Sequence, residues 1–291
     1  MEQGVLVIVS PSAGGGRAAR RLPAVEAALA RLGVRYRTDP TTSLEHGREL
    51  ARDAVGRGEA VFTLSGDGLA GAVAGELAGT DGVLGVLPGG RGNDFARKLG
   101  VPGDAAEAVV SLIGGRERRV DIGEVEGRAF LGIASCGLDS DVQVIANRAK
   151  LVRGGPVYAY STLRALAAWR PARFEVVIDG TPHEWTGYAV AAANSGVFGG
   201  GMRLAPDASL DDGVLDVVVS GAGSKLRYLR NLPRVFNGTH LREPSVQVLP
   251  ARELRISADR PFDLYADGDP IAPLPATIRV RPGALRVRAP A

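Results

Sequence analysis

The feature that most constrains this chain is a unit repeated within its first hundred residues: an apolar run, a glycine-rich turn, then a helical pattern. Ser10-Pro11-Ser12-Ala13-Gly14-Gly15-Gly16 follows Val5 to Val9. Ser65-Gly66-Asp67-Gly68 follows Ala60 to Leu64, and Pro88-Gly89-Gly90-Arg91-Gly92-Asn93-Asp94 follows Val83 to Leu87. Strands buried on both faces of a parallel sheet read as continuous apolar runs, so the unit predicts an open α/β sheet. Turns that follow such strands gather at the carboxyl edge of the sheet and face one crevice. Strands are expected at Val5 to Val9, Val34 to Thr38, Ala60 to Leu64, Val83 to Leu87 and Arg118 to Val125. Helices are expected at Ala18 to Leu32, Leu44 to Arg57, Leu69 to Ala78, Asn93 to Leu99 and Ala105 to Ile113.

Beyond Phe130 the texture changes to strand-like segments separated by Gly, Pro and Asp turns, the pattern of a β-rich second domain. Two helical interruptions are expected there, Val157 to Trp169 and Lys225 to Phe236. The length of 291 residues accommodates two cores. The expected division is an α/β nucleotide-binding domain over 1–127 and a β-rich domain over 128–291, with the extreme C-terminus able to pack back on the first domain. A net charge of +3 without a concentrated basic stripe does not point to nucleic acid. The lone cysteine, Cys136, sits in an apolar stretch, which suits core packing better than a nucleophile. No secretory pattern opens the sequence and no apolar run approaches the roughly 18–20 residues of a membrane span. A cytoplasmic protein with at most peripheral membrane contact is expected.

Glycine lets backbone N–H groups approach phosphate oxygens, and the helix after each turn offers its positive end to an anion. Any one such turn can simply end a strand, but three at one sheet edge point to a polyphosphate ligand. The Walker P-loop is absent, as is a proper dinucleotide fingerprint with its acidic ribose partner. Asp67 and Asp94 lie in these turns. A carboxylate beside phosphates is repelled unless it binds a metal or handles a proton, so both are catalytic candidates.

With these residues in place, the sequence resembles the diacylglycerol kinase catalytic-domain family, which includes bacterial lipid kinases and sphingosine kinases. Ser65 to Gly68 resembles the family's GGDGT turn, and Pro88 to Arg97, PGGRGNDFAR, its P-x-G-T-x-N-D-F-A-R segment. Val120-Asp121-Ile122-Gly123 is similar to its V-D-x-G strand and Gly137-Leu138-Asp139 to its G-F-D turn. Phe198 to Asp216 resembles its Y-G-G-G to D-G-x-L-D run, and Asp267-Gly268-Asp269 stands where the family has D-G-E.

The resemblance implies an α/β nucleotide-binding domain and a C-terminal β-sandwich with the active site in the cleft between them. It implies ATP held by Gly66, Asp67 and Gly68 with Ser10, Pro11, Gly14 and Thr41 nearby, and Asn93 and Asp94 bordering the transferred group. Asp121 would extend an acidic, Mg²⁺-linked network. A structural Mg²⁺ would be held by the Asp212 carboxylate and the carbonyls of Ser209 and Val214, although an Asp-Asp-Gly sequence is also an ordinary turn. Asp269, at the position of the family's catalytic Glu, would take the proton of the acceptor hydroxyl, with a reach shorter by roughly an ångström.

Where the chain departs from the family pattern, polar side chains that could touch a nucleotide are replaced. Ser10-Pro11 stands for Asn-Pro, Leu69 for the Thr of GGDGT, Gly71-Ala72 for Asn-Glu, and Arg91 for the Thr of P-x-G-T. Arg91 can contact phosphate with its own charge; Leu69 has no such compensation. His46, His183 and His240 lack metal-ligand spacing. In Lys225 to Phe236, apolar residues at helical spacing are surrounded by Lys225, Arg227, Arg230 and Arg234. That pattern fits an anionic lipid surface or an ordinary solvated face, and Arg164, Trp169, Arg170 and Arg173 form a similar patch. The expectation is an ATP- and Mg²⁺-dependent kinase acting on a lipid alcohol at the membrane surface, with a homodimer compatible. A binding protein of the same fold without turnover, and an NAD kinase, are the alternatives.

Overall fold

The computed structural model describes residues 3–148 and 155–291. The first part alternates β1 (Val5–Val9), α1 (Ala13–Arg31), β2 (Tyr36–Pro40), α2 (Leu44–Gly56), β3 (Ala60–Ser65), α3 (Asp67–Leu77) and β4 (Val83–Pro88). It continues through α4 (Asp94–Lys98), α5 (Ala105–Ile113) and β5 (Arg116–Val125). The parallel order is β2-β1-β3-β4, with Val5 paired to Tyr36 on one side and Ala60 on the other. Every residue of β1, β3 and β4 is buried, which is why these runs are almost wholly apolar, with Thr63 and Ser65 of β3 the polar residues among them. Helices α1 and α5 pack together, as do α2 and α3.

The second part holds β6 (Arg128–Phe130), β7 (Ile133–Gly137), α6 (Leu138–Arg148), α7 (Gly155–Ala168), β8 (Ala172–Ile178) and β9 (Thr181–Ala193). Then come the short strands β10 (Val197–Phe198) and β11 (Met202–Arg203), β12 (Leu215–Gly221), α8 (Lys225–Asn231), β13 (Val246–Ala251) and β14 (Glu253–Ala258). The chain closes with β15 (Asp263–Ala266), β16 (Asp269–Pro273) and β17 (Ala276–Ala289). From Gly187 onward β9 is buried on both faces. Tyr188, Val190 and Ala192 face the main core of this part, while Ala191 and Ala193 face a small cluster with Ala205 and Ala208, the alternation that a strand's two-residue period requires.

Strand β17 belongs to both parts. Its first half pairs with β14 and β5, and after a bulge between Arg281 and Leu285 its second half pairs with β4 and β5. Leu285 and Val287 pack in the first core, whereas Ala276, Ile278 and Val280 pack in the second.

Two sequence expectations are corrected here. The helix expected over Lys225 to Phe236 stops at Asn231, and Leu232–Asn237 continues as a 3-10 helix, because Pro233 has no N–H to donate and crowds the preceding turn. In the patch expected around Trp169, Arg164, Arg170 and Arg173 are exposed but the tryptophan is not. Trp169 is 4% exposed, packs against Tyr188 and Phe262, and is covered by the Arg260 guanidinium 4.8 Å from its ring centre. Arg173 is engaged with Glu175.

Candidate functional site

The three glycine-rich turns lie at the ends of β1, β3 and β4 and are tied to one another by backbone contacts and by arginines of α1. Arg17 Nη1 donates to the Gly90 carbonyl at 2.8 Å and Arg21 Nη1 to the Pro88 carbonyl at 2.5 Å. Gly14, Gly15 and Gly16 adopt left-handed conformations before α1 becomes regular. Asn93 is also left-handed, and its side chain folds inward: Oδ1 accepts from the Gly90 N–H at 2.7 Å and Nδ2 donates to the Gly90 carbonyl at 3.1 Å. Asn93, expected to border the transferred group, therefore shapes the third turn with its amide. Thr41, expected among the nucleotide contacts, uses its hydroxyl on Ser43 at the start of α2. Ser10 is half-buried, and Pro11 and Arg91 are exposed at the rim. Leu69 is buried, with its Cδ1 against Gly47.

The carboxylates converge over these turns. Asp67 is the first residue of α3, and its Oδ1 accepts from the Phe95 N–H at 3.1 Å. Asp94 opens α4 and is buried; its Oδ2 accepts from the Gly200 N–H at 2.8 Å. Its Oδ1 has no hydrogen bond among the described residues, and the nearest cation, Arg97 Nε, is 3.8 Å away. A Cβ placed on Gly92 would lie 2.8 Å from Asp94 Oδ2 and 3.2 Å from Asp67 Oδ2, so both carboxylates face the space that glycine leaves. Desolvation raises the Asp94 pKa and the Asp67 charge adds to the rise, with the Gly200 N–H opposing it.

The second part supplies the facing wall. Asp269 opens β16, and a Cβ on Gly68 would sit 2.7 Å from its Oδ2. Its carboxyl is raised above the ordinary carboxylate value by desolvation, with Arg128 opposing. Two residues earlier, Asp267 is left-handed and clamps the strand entering β7: Oδ2 accepts from the Leu131 N–H and Oδ1 from the Gly132 N–H, each at 2.8 Å. Burial pushes Asp267 up to about 7, with these N–H groups opposing and Asp67 adding to the shift.

Asp121, expected in the acidic network, lies on β5. It is 2% exposed, and its carboxylate accepts from the Gly213 and Gly283 N–H groups, both at 2.7 Å. Asp121 thus joins the Asp212 turn to the bulge of β17. In that turn Asp212 is exposed and its Oδ1 accepts from the Val214 N–H at 3.2 Å, while the Ser209 hydroxyl donates to Asp211. Asp216 nearby has its pKa raised by desolvation and by the charges of Asp212 and Asp207. No group of three or more His, Cys, Asp or Glu side chains with metal-site geometry occurs among the described residues.

An apolar pocket that opens to solvent adjoins this site in the second part. Ala189, Ala191 and Val218 form its base, and Phe198, Met202 and Leu204 one side. Tyr228, Leu232 and Val235 form another, with Asp139 and His240 as polar members. The Phe198 and Met202 strands flank the loop whose Gly200 holds Asp94, so one hairpin is wall to both. Residues 132–289 match the family model described as the YegS C-terminal NAD kinase beta sandwich-like domain, and residues 4–125 match the diacylglycerol kinase catalytic domain. A diacylglycerol kinase of Mycobacterium tuberculosis (strain ATCC 25618 / H37Rv) is 32% identical over 98% of this chain and 95% of that protein.

The chain belongs to the diacylglycerol kinase family.

A diacylglycerol kinase of Bacillus subtilis (strain 168) is 29% identical over 90% of this chain and 88% of its own length. A crystal structure of a diacylglycerol kinase from Bacillus anthracis str. Sterne has the same fold, with a TM-score of 0.73 at 20% identity over 99% of this chain and 97% of that one. Relatives of this family carry the names diacylglycerol kinase and lipid kinase. No helix among the described residues is long and apolar enough to cross a membrane. Sequence reasoning missed Asp267, Arg17, Arg21 and the Gly200 loop. Asp267 lies in the Asp-Gly-Asp motif, but the family pattern attaches chemistry only to its neighbour Asp269. The arginines of α1 carry no pattern that separates them from solvated ones.

Proposed function

We propose that the protein transfers the γ-phosphate of ATP to the hydroxyl of diacylglycerol or a related lipid alcohol. The observation that carries this reading is the hairpin of β10 and β11, whose tip holds Asp94 at the glycine turns while Phe198 and Met202 line the apolar pocket. A phosphate-binding edge and an apolar pocket then share one wall, which suits a polar reaction on the end of an apolar substrate.

Backbone N–H groups of the Ser10, Gly66 and Gly90 turns would cradle the phosphates, and Arg91 at the rim would add a charged contact. Asp269, over Gly68, would accept the proton of the acceptor hydroxyl, and its raised pKa brings it nearer the value that favours general-base work. The Asp94 oxygen without a hydrogen bond, beside the Asp67 carboxylate, fits a hard divalent cation. Bound there, Mg²⁺ would neutralise phosphate charge. The exposed Asp212 carboxylate, with the Ser209 and Val214 carbonyls, offers a second oxygen donor set, and the crowded charges of Asp207, Asp212 and Asp216 favour a cation beside them.

The test is purified protein with radiolabelled ATP, Mg²⁺ and a panel of lipid alcohols, with Asp67→Asn as control. Product that the control does not form supports the reading. Leu69, buried where the family carries a hydroxyl, favours a second reading, a binding protein of this fold. Nucleotide binding without turnover on any acceptor would establish that reading instead.

A further inference from the structure

The apolar pocket of the second part holds a carboxyl that no donor reaches. Asp139 lines the pocket half-buried, in the first turn of α6, with no hydrogen bond or ion pair among the described residues. Burial pushes its carboxyl up to about 6, and no cation among the described residues offsets that. Strand β7 gives its distance from the cleft. Gly132, just ahead of the strand, donates to Asp267, which sits against α3 at the cleft. Gly137 ends the strand, and five residues of strand span about 16 Å. The pocket floor runs the same way: Val218 and Ser220 of β12 pair with Ala191 and Ala189 of β9, and Ala189 pairs with Gly137. Asp139 therefore stands toward the end of the pocket remote from the cleft. The shortage of donors recurs nearer the hairpin. His240 is 3% exposed and its Nε2–H donates to the Leu204 carbonyl at 3.0 Å, which leaves Nδ1 as an acceptor. Asn231 Nδ2 donates to the His240 carbonyl at 3.4 Å, which leaves Oδ1. Both acceptor atoms are buried without a partner among the described residues, and both residues line the pocket.

We propose that the lipid taken into this pocket carries a hydroxyl on its hydrocarbon chain, far from the hydroxyl that is phosphorylated, and that Asp139 selects it. The inference rests on the reading of the pocket as the acceptor's hydrocarbon site. An unsubstituted chain would seal the Asp139 carboxylate from water and give it no donor, the most costly state for a buried polar group. A chain hydroxyl brings one donor to that carboxylate and otherwise leaves the apolar wall undisturbed. An ammonium would bring three donors to a place with one carboxylate, and those left over would be buried unpaired. His240 and Asn231 add to the same reading, because a wall built of unanswered acceptors suits a ligand that supplies donors.

The test uses the full-length protein and detergent-solubilised diacylglycerols that differ only in one chain. That chain is unsubstituted, hydroxylated beside the ester, hydroxylated far along its length, or aminated at the same far position. Dissociation constants are read without nucleotide, from the dependence of melting temperature on ligand concentration. The wild type is expected to bind the far-hydroxylated lipid about tenfold more tightly than the unsubstituted one, the worth of one hydrogen bond to a charged group. The hydroxyl beside the ester should bring no such gain. Asp139→Leu should reverse the order, so that the unsubstituted chain binds best. Asp139→Asn keeps an acceptor oxygen and should retain a preference for the far hydroxyl. Equal binding of all four lipids by the wild type overturns the proposal, as does a preference that survives in Asp139→Leu. Tightest binding of the aminated chain overturns it too, in favour of a cationic ligand. Binding is read without turnover, so the stated preference with no phosphorylation of any of these lipids on adding ATP and Mg²⁺ refutes the kinase reading and leaves the chain selectivity standing. Phosphorylation of all of them at equal kcat/KM does the opposite.

Discussion

Asp94 and Gly200 meet across the cleft, where the Gly200 N–H donates to Asp94 Oδ2 at 2.8 Å. A carboxylate set among glycine turns of the first part is thereby seated by the backbone of the second. Asp94→Asn keeps an oxygen for the Gly200 N–H but removes the charge. Turnover should fall by about two orders of magnitude, in keeping with the loss of one preorganised electrostatic group, with little change in the KM for the acceptor. Asp94→Ala loses the seat as well and should also raise that KM. Equal acceptor KM values for the two variants would show that the contact does not position the hairpin.

Asp269→Asn should lower the rate by about 10²–10⁴, the usual worth of a general base, with ATP affinity unchanged. Asp269→Glu restores the longer side chain of the family and should stay active. A base works deprotonated, and the Asp269 pKa is raised by desolvation. Activity should therefore fall as pH drops through a value above the ordinary carboxylate range, and the Asn variant's residual rate should lack that limb. A full-rate Asp269→Asn would move the role to Asp67 or Asp94.

Asp212→Ala should abolish the rise in melting temperature on adding Mg²⁺, because a ligand that binds only the folded state stabilises it by mass action. Asp121→Ala should remove the same response and destabilise the Mg²⁺-free protein too. It leaves the part-buried N–H groups of Gly213 and Gly283 without their acceptor, which costs stability in proportion to how little water can replace it. A Mg²⁺ response that survives in Asp212→Ala places the ion elsewhere.

Asp139 lines the pocket with no hydrogen bond among the described residues, and burial pushes its carboxyl up to about 6. A raised folded pKa means that charging the group opposes folding, so stability is lost as pH rises from the unfolded value near 4 through about 6. Asp139→Asn should be more stable than the wild type at pH 8 by about 3 kcal/mol and indistinguishable at pH 3.5. Paired denaturant titrations at the two pH values check this.

The first part was legible because strands buried on both faces leave uninterrupted apolar runs, and β1, β3 and β4 are of that kind. The sequence also placed Asp67, Asp94 and Asp269 in turns, and the structure brings them to one region because β16 returns over α3. The partners of Asp121 were not legible. Its neighbours spell a strand beside the acidic motifs, but nothing in one sequence reveals that Gly213 and Gly283, far along the chain, supply its donors. Strand β7 escaped notice because Gly132 and Gly137 bracket small residues, Ala134 and Ser135, that look like a loop until β9 and β15 pair with them. The break at Pro233 was visible, but whether it kinks or ends a helix depends on the packing of Val235 beneath it.

Strand β17 has a consequence for the order in which the molecule is made. β5 pairs only with β17 and β6, and β4 has β17 on the side away from β3. A ribosome that has released residues 1–127 has therefore delivered a sheet with an open edge and a fifth strand with nothing to join. Both wait for residues 276–289, synthesised well after them, so the N-terminal core cannot reach its finished state ahead of the C-terminal one. A nascent chain of this protein should stay sensitive to protease, and attractive to chaperones, until residues 276–289 emerge.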